Sequence, residues 1–195
     1  MYINFEEKFV KKCLIGLTII MFYSFFSLFA VETGSVEFKY WFINEVSESV
    51  SDMYFTNTSK QRIDACPLDV ASSLNDPQLY AAVYSNVSAT NYSVTLSFST
   101  LKKTDENKYG YYKAKVYRLS DLGTLSEISY DNIESRTIDV TNNESPTSVS
   151  FPLDKTQNST NQTFYYPIAF QFSDYIGSYE NGSYSGTILI EVAAT

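Results

Sequence analysis

The stretch Tyr92-Ser93-Val94-Thr95-Leu96-Ser97-Phe98-Ser99 alternates apolar and hydroxyl side chains without a break. Successive side chains of an extended chain point to opposite faces. One face of this segment therefore buries Tyr92, Val94, Leu96 and Phe98, and the other shows Ser93, Thr95, Ser97 and Ser99 to water. The same period of two recurs at Val36-Phe38-Tyr40-Phe42, Tyr112-Ala114-Val116, Val149-Phe151-Leu153 and Phe164-Tyr166-Ile168-Phe170-Phe172. Near the chain end, Ile188, Ile190 and Val192 share a face of Thr187–Val192. Residues 79–87 and 136–141 carry the pattern more weakly.

Turn-forming clusters lie between these runs. Thr104-Asp105-Glu106-Asn107-Lys108 reads as a hairpin loop. Asp121-Leu122-Gly123, Thr141–Pro146 and Asn158–Asn161 separate other runs, and Tyr179-Glu180-Asn181-Gly182-Ser183 precedes the last one. Closely spaced strands, with no helical period after residue 30, predict an all-β fold: an antiparallel β-sandwich of about seven to nine strands. Composition does not break along residues 31–195, which predicts a single domain there.

The 195 residues contain no histidine, 14 Lys+Arg and 22 Asp+Glu, for a formal net charge of -8 and a pI near 4.5. Without histidine the usual general base near neutral pH is missing, and with it the Ser-His-Asp and Cys-His nucleophiles. Histidine-containing zinc sites are excluded too, with only 2 Cys in the chain to replace them. The acidic balance argues against a nucleic-acid partner, which would meet a basic face.

Residues 1–30 have their own logic. Lys8, Lys11 and Lys12 precede Cys13–Ala30, a stretch without charge that ends in a small residue. That order reads as a secretory signal peptide, a helix ahead of the sandwich. The alternative is an uncleaved membrane anchor, since the apolar stretch reaches the lower edge of a spanning length. Either way the domain is exported, to the cell surface, the periplasm or the extracellular space. Removing 1–30 leaves 11 basic and 20 acidic residues and one cysteine, Cys66. A lone thiol closes no intrachain disulfide, so an apolar core must hold the domain. Cys66 reads as a small buried residue, or else as an intermolecular or reactive thiol.

Near the end, Glu180, Gly182 and Tyr184 are spaced as in a tyrosine corner, where the tyrosine hydroxyl bonds back to backbone as the chain enters a strand. Gly182 would supply the positive φ. An ordinary Asn-Gly turn gives the same residues. If the corner is present, the chain stops one strand short of a complete immunoglobulin-like sandwich. The open groove would expose core and unpaired backbone. A strand from another subunit could fill it, or the chain's own Ser35–Asn44 could.

On the signal-like segment, the period-two strands across 35–194 and the NGSYSGTILIEV ending, the chain resembles bacterial fimbrial, pilin-type subunits. The resemblance implies an immunoglobulin-like fold and a structural or adhesive subunit. It would assemble with protein partners by strand addition, here through the first mature strand.

Tyr111, Lys113, Lys115 and Tyr117 fall on one strand face opposite Tyr112, Ala114 and Val116, a candidate exposed contact stripe for protein or glycan. It would serve the alternative function, a stand-alone secreted adhesin or carbohydrate-binding module. Asn57, Asn86, Asn91, Asn143, Asn158, Asn161 and Asn181 each open an Asn-x-Ser/Thr triplet, either glycan acceptors or the product of a Ser/Thr/Asn-rich chain. Asp105 does not open a calcium loop, because Val116 stands where its closing Glu belongs. No phosphate loop and no nucleophile elbow occur. The expectation is a non-enzymatic protein without cofactor or metal. It would touch a membrane only through residues 13–30, if these are uncleaved.

Overall fold

Alternation becomes strand throughout the computed structural model, which describes residues 36–42, 52–68, 72–85, 92–119, 129–153 and 162–194. The signal-like segment lies outside the described residues. The twelve described strands are β1 (Val36–Phe42), β2 (Asp52–Thr56), β3 (Ala65–Leu68), β4 (Leu79–Ser85), β5 (Tyr92–Phe98), β6 (Leu101–Lys103), β7 (Tyr109–Gly110), β8 (Tyr112–Tyr117), β9 (Ser135–Val140), β10 (Thr147–Pro152), β11 (Gln162–Gln171) and β12 (Tyr184–Ala194).

They form two sheets. The first runs β10-β5-β12-β1-β3, with β6 beside β12 and β7 beside β6; the second runs β2-β4-β11-β8-β9. The count exceeds the expected seven to nine. The four strands beyond the alternating runs are β2, β3, β6 and β7, of two to five residues each. Such lengths are too short to show a period. The expected fully antiparallel arrangement is corrected at one place. β1 runs parallel to β12, while every other strand pair is antiparallel. A hairpin cannot join parallel neighbours. Here nearly the whole domain is the crossover, from Phe42 to Tyr184.

The inner faces meet in one core. β5 contributes Val94, Leu96 and Phe98, β8 contributes Tyr112, Ala114 and Val116, β11 contributes Phe164, Tyr166, Ile168 and Phe170, and β12 contributes Ile188, Ile190 and Val192. Phe98, Phe151, Phe170 and Phe172 are each fully buried. Burying a side chain of that size contributes about 1.5–3 kcal/mol, so these rings dominate the sandwich. The hydroxyl faces pair across strands. Thr95 bonds Ser150 at 2.7 Å and Ser97 bonds Ser148 at 2.8 Å on the outer face of the first sheet.

The second sheet buries part of its outer face as well. Tyr80, Ala82, Leu119 and Tyr165 form a separate apolar cluster, with Tyr54 and Ile133 against it. Phe164, Tyr166 and Ile168 face one way along β11 and Tyr165 the other, so one strand feeds two apolar clusters.

Candidate functional site

β1 occupies the position that positions everything at one side of the first sheet. Seven consecutive residues pair with β12, from Val36↔Tyr184 to Phe42↔Ile190. On its other side, four residues pair with β3, from Val36↔Leu68 to Lys39↔Ala65. Among the described residues β3 has no other strand partner, so there β1 alone joins β3 to the sheet. Val36, Phe38, Tyr40 and Phe42 take the register positions of Tyr184, Gly186, Ile188 and Ile190. These are the positions at which β12 faces the core. Phe38 stands between Gly186, which has no side chain, and Cys66. The Cys66 thiol is buried, and burial pushes its pKa up to about 11. Its neighbours are the carbonyls of Pro67 at 3.8 Å and Gln78 at 3.9 Å, both long sulfur contacts. A thiol so protonated is a poor nucleophile.

β12 starts at a tightly built turn. The backbone N–H of Glu180 donates to the Tyr184 hydroxyl at 2.9 Å. Gly182 takes φ 147°, which L side chains rarely adopt. Tyr179 packs edge-on against Tyr184 at 5.1 Å and donates its hydroxyl to the Tyr111 carbonyl at 2.7 Å. Its ring also lies over Gly110, where an added Cβ would meet it at 2.2 Å. Burial raises the Tyr179 hydroxyl well above the usual tyrosine value. Outside the turn, Lys103 and Lys108 each pair with both Glu106 and Glu180, at 2.5–3.3 Å. Hydrogen bonds from the lysines hold both carboxyls below their usual range, and the same bonds raise the lysines. Glu180 thus ties the corner to the β6–β7 hairpin, the loop that Thr104–Lys108 predicts.

The Tyr111, Lys113, Lys115, Tyr117 stripe lies on one face of β8, but it is not an open surface. Tyr111 is half-buried, with its ring edge-on to Tyr175 at 6.3 Å. Lys113 is paired with Asp174 and, at 4.0 Å, with Asp139. The Asp174 bond raises the Lys113 ammonium and lowers the Asp174 carboxyl. The Lys115 ammonium sits 4.8 Å from the Tyr117 ring centroid. Tyr117, expected exposed, is fully buried: its hydroxyl donates to the Leu74 carbonyl at 2.6 Å and its ring meets Tyr130 at 4.8 Å. Alternation assigns a face but not its cover. Here the 3-10 turn Tyr130–Asn132 and the chain at Leu74 cover it.

A cavity of about 310 Å³ opens on the outer face of the first sheet, lined among others by Ser99, Lys102, Tyr109, Asn143, Ser185 and Thr187. It forms where the chain breaks between β5 and β6. At the break the Thr187 N–H donates to Ser99 Oγ at 2.7 Å in place of a ladder bond, and the Ser99 N–H donates to the Thr187 carbonyl at 3.0 Å. Ser185, Lys102 and Tyr109 lie in one cross-strand row over β12, β6 and β7. Asn143 reaches in from the loop after β9, its Nδ2 donating to the Tyr111 hydroxyl at 3.2 Å. In the sequence Asn143 stands out only as the start of a triplet, and no pattern joins it to Tyr109. Among the described residues, no three His, Cys, Asp or Glu side chains gather as a metal-holding group. Of the other triplets, Asn57 and Asn181 are described, and Asn181 is exposed. Compared with protein families, curated proteins and solved structures, the chain matches none.

Proposed function

We propose that this chain is an exported, immunoglobulin-like, non-enzymatic subunit of a cell-surface assembly, joined to its neighbours by exchange of β1. One observation carries the reading: β1, the first described strand, fills a slot between β12 and β3 that no other strand closes among the described residues. The back-bond from Glu180 to Tyr184 supports the immunoglobulin-like part, because a tyrosine corner is built this way. The lysine-led apolar stretch Cys13–Ala30 supports export.

Exchange is physically cheap. A second copy's β1 would make the same seven pairings with β12 and the same four with β3. The closed and exchanged forms then differ mainly in their connections and in protein concentration, as in domain swapping. Ten chain steps separate Phe42 from Asp52, a reach of roughly 33–36 Å when extended. That span can carry β1 to a neighbour. An empty slot would expose core and unpaired backbone, so the strand is always supplied from somewhere.

The test mixes the full chain, kept in mild detergent, with a fluorescent peptide of residues 35–44. Light scattering after size exclusion should show a ladder of oligomers that grows with concentration. The peptide should enter the fold and cap that growth. A chain that stays monomeric at every concentration and takes up no peptide overturns the reading.

A further inference from the structure

The cavity beside β6 has a chemistry that strand exchange does not use. The chain carries a net charge of -8, yet among the described residues the cavity lining contains a lysine and no carboxylate. Lys102 is exposed, and among the described residues it makes no ion pair. Its neighbour Lys103 alternates away and is held by Glu106 and Glu180. One lysine is thus held at the corner, and the next one lies at the cavity.

The remaining groups are hydroxyls, an amide and one aromatic ring. Ser185 and Thr187 offer hydroxyls that no protein group among the described residues engages. Asn143 commits its Nδ2 to Tyr111, which fixes the amide and leaves Oδ1 as an oriented acceptor. Tyr109 is half-buried and steadied by a 3.2 Å bond from its hydroxyl to Asn107. A ring wall suits the apolar C–H face of a sugar, and fixed polar groups around it suit the sugar's hydroxyls. The volume lies at the small end of ligand sites and has room for one ring. The Lys102 cation, in an acidic protein, favours a ligand carrying a negative charge.

We propose that this cavity binds a single acidic sugar unit, a polyhydroxylated ring bearing a carboxylate. Lys102 meets the carboxylate, Tyr109 packs the ring, and Asn143, Ser185 and Thr187 meet its hydroxyls. β1 borders the site, since Glu37 and Lys39 pair with Ser185 and Thr187, and a β1 supplied by another copy would border it in the same register.

Glucuronate is the probe, with glucose and acetate as controls. It is titrated into the full chain in a detergent free of sugar headgroups, and backbone amide shifts are followed. Glucuronate should saturate shifts at Lys102, Tyr109, Asn143 and Ser185, and bind more tightly than either control. Tyr109→Ala should weaken it about tenfold, the loss of one ring contact. Lys102→Gln should weaken it about fivefold and erase the preference over glucose, as expected for one exposed charge pair. Asn143→Asp lies in an exposed loop, leaves the sheet intact and should repel the carboxylate. Shifts confined to other residues overturn the site. Equal binding of glucose overturns the charge assignment, and equal binding of acetate overturns the sugar assignment.

Discussion

β11 and β12 are the two long central strands, and they are secured differently. β11 lies between β4 and β8, both antiparallel to it and both drawn from the middle of the chain. β12 lies between β5, antiparallel, and β1, parallel, which comes from the other end of the domain. Both present an alternating apolar face to the same core. The second sheet is thus closed by strands embedded between other elements. The first sheet is closed by β1, which the chain after Phe42 links to β2 and which pairs with β12 and β3. The first arrangement favours permanence. The second allows the same hydrogen bonds to be made by another copy.

The largest effect should come from β11. Phe170→Ala removes a fully buried ring that packs 6.0 Å from Tyr112, and should cost about 3–5 kcal/mol in denaturant unfolding. A loss below about 1 kcal/mol would mean that β11 is no more rigidly held than β1.

A middle effect should come from β1. Phe38 pairs on both sides, with Gly186 and with Cys66, so its N–H belongs to one ladder or the other. Phe38→Pro deletes that donor in the middle of the sheet. Cys66 should then react with a thiol reagent about tenfold faster at pH 8, equal to roughly 1.4 kcal/mol of easier local opening. The burial that holds its pKa near 11 keeps the parent thiol slow. An unchanged rate would place the closure of this edge elsewhere than in β1.

The smallest effect should come from the entry to β12. Tyr184→Phe keeps the ring and removes only the acceptor for the Glu180 N–H. It should lower stability by about 1 kcal/mol, read as a shift in the denaturation midpoint with unchanged slope. A change within error would show that the corner orders the turn without stabilising the sheet.

Much of the sandwich was legible because period two is a direct consequence of strand geometry. Tyr92–Ser99 and Phe164–Phe172 could bury one face in only one way. The Glu180–Tyr184 spacing was legible for a similar reason, since its bond closes within five residues. The stripe on β8 was half-legible. Its face was readable, but Tyr117 is covered by Tyr130 and Leu74, which come from distant parts of the chain. The cavity was not legible at all. It needs a break at Ser99, a row across three strands and a loop from Asn143, and no local pattern records their meeting.

The sequence by itself determined that this chain makes strands with one dry face, that histidine chemistry is absent, and that its two cysteines can close at most one disulfide. Those follow from residue type and spacing alone. Only the tertiary structure decided which strands are neighbours, that β1 lies parallel to β12, and which polar faces are covered. Pairing between chain ends depends on where every intervening turn sends the chain. Many pairings satisfy the same alternation, and the packing of the whole core selects one.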